Sequence, residues 1–213
     1  MIKVAYMNVD NLNLEKSYEL LPQNRKTKVD RYRFEKDKKL SAGAYLLLDC
    51  LLKEENITHP IFKVEKYGKA YIDNYENIHF NLSHSGNIAA CAISDKKIGI
   101  DVEYTDPAID LDIAKNYFFN TEYESIITSS DPSNEFFKYW VLKESYMKYT
   151  GLGFNLDLNK FEIIIDSEIK LKNDKNNLKF NLFNIDEYKL AVCSNYNLKK
   201  IKKYEINELS SII

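Results

Sequence analysis

The stretch NIAACAIS, residues 87–94, has a near-copy about a hundred positions on in KLAVCSNY, residues 189–196. Both are short apolar runs bounded by turn-forming residues, the pattern of a buried strand. Two similar strands so far apart suggest two related α+β halves meeting near residue 100. Upstream of the first copy, IHFNLSHSG (78–86) reads as a strand and a polar loop, and IFKVEKYGKAYI (61–72) as two short strands about the turn YGKA. KLSAGAYLLLDCLLKE (39–54) is apolar enough for a well-buried helix, and IKVAYMNV reads as an opening strand. Downstream, KKIGIDVE is a strand placed to form a hairpin with 87–94 across SDKK.

LDIAKNYF and NTEYESII then read as helices, with Asn120 or Thr121 capping the second. The longest predicted helix is NEFFKYWVLKESYMKYT (134–150), capped by Asp131, opened by Pro132 and ended by Gly151 and Gly153. The remainder alternates strands (FEIIID, LKFNLFNI, YKLAVCSNY, KKYEI) with Asn- and Asp-rich turns. The expected fold class is α+β, as two similar lobes in one chain, 1–97 and 98–213.

At 213 residues the chain is long enough for a substantial core. Its apolar share of 45% and charged share of 29% are those of a soluble globular protein. Lys+Arg of 30 against Asp+Glu of 32 gives a net charge of -2, which argues against general nucleic-acid binding. Cys50, Cys91 and Cys193 lie far apart in apolar runs without a CxxC, and read as reduced core residues of a cytoplasmic protein. The N-terminus has no signal-peptide core, and no run approaches the roughly 20 apolar residues that span a bilayer.

In IGIDVE (98–103) the isoleucines and valine make one apolar face, while Gly99, Asp101 and Glu103 share the other. The two carboxylates stand about 7 Å apart along the strand. They either flank a hard cation such as Mg²⁺ or mark a charged edge strand. Gly99 leaves room for a ligand or a crossing backbone. On the long helix Trp140, Glu144 and Lys148 follow i, i+4, i+8 spacing, which a surface ion pair and a core tryptophan explain as readily as a site. In NLSHSG, Ser83, His84 and Ser85 in a turn offer donors to a phosphate, or form an ordinary capping loop. RKTKVDRYRFEKDKK (25–39) holds eight basic residues against three acidic ones, either a solvated helix or a phosphate clamp. GxSxG, HExxH, Walker A and GxGxxG patterns are absent.

Taken in order, IGIDVE and, some forty residues on, WVLKESYMK resemble the two signature motifs of the 4′-phosphopantetheinyl transferases. FNLSHSG and YGKAY resemble the larger, Sfp-type branch (surfactin-synthetase-activating), whose single chains are pseudodimers with the active site at the lobe interface. The resemblance runs from the basic segment to Thr150 and is weakest after Gly153. It implies transfer of the phosphopantetheine arm of coenzyme A to a serine of an apo acyl- or peptidyl-carrier protein, with Mg²⁺, releasing adenosine 3′,5′-bisphosphate. It also implies a cytoplasmic monomer with no nucleic-acid or membrane partner.

By this resemblance Asp101, Glu103 and Glu144 hold the metal, and Glu144 is the base toward the serine. Lys148 neutralises the departing bisphosphate. Arg25, Lys28, Ser41, Ser83 and His84 match positions that hold phosphates, and Gly68 and Lys69 the adenine-side contact. Val141 stands where the family has a small polar residue, and implies packing there; Arg25 stands where lysine is common. The competing classes are a Mg²⁺-dependent diphosphate hydrolase or nucleotidyl transferase, and a non-catalytic coenzyme A-binding module. Tyr117, Phe118, Phe119 and Tyr123 are candidates for carrier contact or for lobe packing.

Overall fold

The computed structural model describes residues 1–206 and 208. The chain runs β1 (Ile2–Asn8), α1 (Leu14–Glu19), α2 (Gln23–Asp30), α3 (Glu35–Glu54), β2 (Phe62–Val64), β3 (Ala70–Ile72), β4 (His79–Ser85) and β5 (Ile88–Ser94). It continues through β6 (Gly99–Tyr104), α4 (Asp112–Tyr117), α5 (Asn120–Thr128), α6 (Pro132–Thr150), β7 (Ile163–Ile165), β8 (Ile169–Leu171), β9 (Lys179–Ile185), β10 (Tyr188–Ser194) and β11 (Lys202–Lys203). The order βαααββββ thus occurs twice before β11. Residues 1–63, 70–96 and 199–206 form one compact unit, and 64–69 with 97–198 a second.

In the first unit the sheet order is β11-β1-β5-β4. β5 pairs antiparallel with β1 (Ala5 opposite Cys91) and with β4 (Leu82 opposite Cys91). α3 lays Leu47, Leu48, Leu51 and Leu52 on this sheet against Ala5, Met7, Cys91 and Ile93. Each of these side chains removes apolar surface from water at about 25 cal/mol per Å². A Cβ on Gly43 of α3 would lie 2.8 Å from Val9 Cγ1, so the helix comes close to the strand there.

The second unit repeats the plan with sheet order β6-β10-β9 and α6 across it. Asp131 accepts the Asn134 N–H at 3.1 Å and Pro132 opens the helix. Gly151 ends it in the left-handed region, φ 77°, donating to Met147 O. Phe136, Phe137, Val141, Leu142 and Met147 enter a core with Phe161, Ile163, Phe180 and Cys193. Trp140 stacks on Phe136 at 5.6 Å, so its sequence reading as a packing anchor fits. The three cysteines are buried and free.

Three local expectations are corrected. β5 and β6 form no hairpin: β5 has β1 and β4 on its two edges, while β6 pairs with β10. α5 is preceded by Phe119, not capped by Asn120 or Thr121; Glu122 Oε2 accepts the Phe119 N–H at 2.9 Å. Ser83, His84 and Ser85 belong to strand β4 rather than to a turn. Among the described residues no helix is long and apolar enough to cross a membrane.

Candidate functional site

In the second unit β6 and α6 bring four charged side chains together. A Cβ on Gly99 would stand 2.0 Å from Ser145 O and 2.4 Å from Tyr149 N, so the backbone of α6 crosses β6 where the strand has no side chain. Of the two roles the sequence left open for Gly99, the structure takes the crossing backbone. With that crossing fixed, side-chain alternation directs Asp101 and Glu103 toward α6. Asp101 is 2% exposed, and its Oδ1 lies 2.6 Å from Lys148 Nζ.

Glu144, one helical turn before Lys148, is half-buried, and its Oε1 is buried without a hydrogen-bond partner. Burial, then the charge of Asp101, pushes its carboxyl up to about 7; Lys148 opposes the shift and Glu103 adds to it. The equivalent row of the first unit, Ala5 and Met7 on β1 with Val9 just past its end, is apolar and packs under α3. One strand position in a repeated plan is therefore core in one unit and carboxylate in the other.

Among the described residues no group of three or more carboxylate, imidazole or thiol side chains is arranged to hold a metal ion. The donor chemistry nonetheless fits a hard cation. Asp101, Glu103 and Glu144 are oxygen ligands only, and Glu144 keeps a buried oxygen that none of the described residues satisfies.

The basic candidates gather in the first unit. Arg25 Nη2 donates to Ser41 O at 3.3 Å, and the guanidinium lies 5.4 Å from the Tyr45 ring centre. Arg25 Nε and Ser41 Oγ are buried with no hydrogen-bond partner among the described residues. Burial pushes Arg25 and Lys28 down, and the charge of Arg25 lowers Lys28 further. A half-buried guanidinium with an unmet donor, beside the more exposed ammonium of Lys28, makes a cationic pair able to meet an anion. Ser83 and His84 are neighbours on β4 and point to opposite faces. His84 lies opposite Ala89, which Gly43 of α3 approaches, two residues from Ser41; Ser83 faces away from that helix. Gly68 takes φ 93° at the β2–β3 turn, and Lys69 Nζ bonds to backbone carbonyls of its own unit.

Two family models match the chain back to back. One, described as "4'-phosphopantetheinyl transferase, N-terminal", covers residues 10–96; the other, "4'-phosphopantetheinyl transferase superfamily", covers residues 97–193, including Asp101, Glu103, Glu144 and Lys148. The chain belongs to the 4′-phosphopantetheinyl transferase superfamily. A 4′-phosphopantetheinyl transferase of Bacillus subtilis is 38% identical over 141 residues, which are 62% of this chain and 62% of the relative. Another from B. subtilis strain 168, named Sfp, is 35% identical over 140 residues, again 62% of each. A third, psf-1 of Bacillus pumilus, is 28% identical over 200 residues, 87% of this chain and 85% of its own length. The match to the first two relatives thus spans 62% of their length.

In this member of the superfamily the sequence reading passed over one buried pair beside the motif. Lys143 is fully buried, its Nζ 2.8 Å from Glu122 Oε2 and donating to Leu158 O and Phe161 O. Glu122 also accepts from Phe119 N and Ile163 N, so both charges are well satisfied. The pair ties the helix turn that carries Glu144 to α5 and β7. Nothing in the spacing of Lys143 separates it from a surface lysine; only its place between apolar Leu142 and the motif glutamate hints at burial.

Proposed function

We propose that the chain transfers the 4′-phosphopantetheine arm of coenzyme A to a serine hydroxyl of an apo acyl- or peptidyl-carrier protein, releasing adenosine 3′,5′-bisphosphate. The observation that carries this reading is Glu144: a half-buried carboxyl, pushed up to about 7, with an unsatisfied oxygen beside Asp101 and Lys148. A carboxyl held beside Asp101 and Lys148 with a free oxygen is placed to accept the proton of the serine, as a base must. The serine oxygen then forms its bond to the β-phosphorus of coenzyme A as the bond from that phosphorus to the bridging oxygen breaks. Lys148 neutralises the bisphosphate that leaves with the electron pair. Asp101 holds the Lys148 ammonium in place meanwhile.

Asp101, Glu103 and Glu144 would hold Mg²⁺, which when bound supplies the positive charge that lets three carboxylates and a pyrophosphate share one site. Arg25, Lys28 and Ser41 supply cationic and hydroxyl donors for a phosphate of coenzyme A, with His84 near the same end of α3. The buried free thiols support a cytoplasmic setting, and the repeated plan supports action as a monomer.

The test is to incubate the protein with coenzyme A, Mg²⁺ and a panel of apo carriers and to weigh each carrier. A mass gain of one phosphopantetheine on the serine is expected. No gain on fatty-acid, polyketide or peptide-synthetase carriers would overturn the proposal. Arg25→Ala is expected to raise KM for coenzyme A about 10- to 100-fold with little change in kcat, the effect of losing a charged hydrogen bond worth about 1.5–3 kcal/mol. Steady-state kinetics at saturating carrier check it, and an unchanged KM would remove Arg25 from the phosphate site.

A further inference from the structure

Lys69, which the resemblance places at the adenine-side contact, has its ammonium engaged within the second unit. It closes the β2–β3 turn, where Glu65 N–H donates to Lys69 O at 2.8 Å and Gly68 N–H to Glu65 O at 3.0 Å. Its ammonium donates to three backbone carbonyls: Ile98 O at 3.0 Å, Lys148 O at 2.5 Å and Tyr149 O at 3.2 Å. An ammonium has three protons, and each has an acceptor here. Its stem lies against the end of α6, since a Cβ on Gly151 would be 3.3 Å from Lys69 Cδ.

Two of the acceptors are last-turn carbonyls of α6, which lack intrahelical partners and form the negative end of the helix dipole. The third, Ile98 O, immediately precedes Gly99. The ammonium therefore ties the helix turn bearing Lys148 to the strand bearing Asp101, the two residues that meet at 2.6 Å. Burial pushes Lys69 down to about 8, with Glu65 opposing, as expected for a cation held among carbonyls away from water.

We propose that Lys69 is a positioning residue: it clamps the last turn of α6 to the start of β6 and so holds Lys148 against Asp101. The activity readout rests on the transferase reading above; the exchange readout does not.

The test compares wild type, Lys69→Met and Lys69→Arg. In Lys69→Met, kcat for carrier modification is expected to fall roughly 10- to 100-fold, the scale of a small misplacement of reacting groups. KM for coenzyme A should stay within about twofold, since no binding contact is removed. Backbone amides of Tyr149 to Gly151 should exchange hydrogen faster, and Lys69→Arg, which keeps charge and donors, should restore most of both losses. A tenfold rise in KM with kcat unchanged would overturn the proposal in favour of a direct coenzyme A contact. Unchanged exchange at 149–151 would overturn it as well. If Lys69→Met does not fold, Lys69→Gln, with two donors on a shorter stem, is read in the same way. A wild type that modifies no carrier sinks the transferase reading alone, and the exchange comparison still decides whether the clamp exists.

Discussion

Glu144→Gln is expected to lose about a thousandfold in turnover and, in EDTA at pH 8, to melt at a higher temperature than the wild type. The first effect is the usual scale for removing a positioned base. The second follows from linkage. The carboxyl of Glu144 lies at about 7 in the folded protein against an ordinary 4.5. Below 4.5 it is neutral in both states and makes no difference. Between 4.5 and 7 the folded chain binds the proton that the unfolded chain releases, so stability falls as pH rises through that window. Above about 7 the full penalty of an ionised, half-buried carboxylate beside Asp101 remains. Glutamine never ionises, so the variant escapes the penalty. Melting curves at pH 4.5 and pH 8 check this: coincident Tm values at pH 4.5 and a gap of a few degrees at pH 8 are expected. A lower Tm for the variant at pH 8 would contradict the assigned environment of Glu144.

Gly99→Ala is expected to cost about 3 kcal/mol or more and at least roughly 100-fold in activity. The new methyl would sit 2.0 Å from Ser145 O and 2.4 Å from Tyr149 N. Both are backbone atoms inside α6, so no side-chain rotation relieves the overlap; the helix must move off the strand. That shift separates Glu144 and Lys148 from Asp101 and Glu103 together. Gly68→Ala is the contrasting change, because nothing lies within 4 Å of its Cβ and only its φ of 93° is strained. It should cost about 1 kcal/mol. Denaturant unfolding of the two variants separates the effects, and equal losses would mean that the crossing of α6 over β6 is looser than described.

Much of this was readable from residue order, and the reasons differ from place to place. The β6 acids were legible because alternation alone puts Asp101 and Glu103 on one face. The i, i+4 spacing put Glu144 beside Lys148, and Asp131, Pro132 and Gly151 bounded the helix correctly because caps are local chemistry. Pairing was not local. SDKK between two strands has the look of a hairpin turn, yet β5 is the central strand of its sheet with both edges taken. Ser83 and His84 sit among polar residues that suggested a loop, while cross-strand bonds to β5 keep them in a strand.

Lysines were the least legible. Lys143 faces Glu122, twenty-one positions earlier, and Lys69 serves carbonyls some eighty positions later. Neither partnership leaves a trace in spacing, because each is made by packing of elements distant in sequence.

The shared plan of the two units has one more consequence. β1 and β6 hold the same place beside a long helix, and the β1 row is Ala5 and Met7, continued by Val9 just past the strand. The first unit is thus a natural comparison for the second, a version of the same sheet and helix with an apolar row where the acids stand. The plan itself therefore packs with or without acids in that row. The acids are written onto a scaffold that the chain also carries without them, and it holds both the blank and the printed copy.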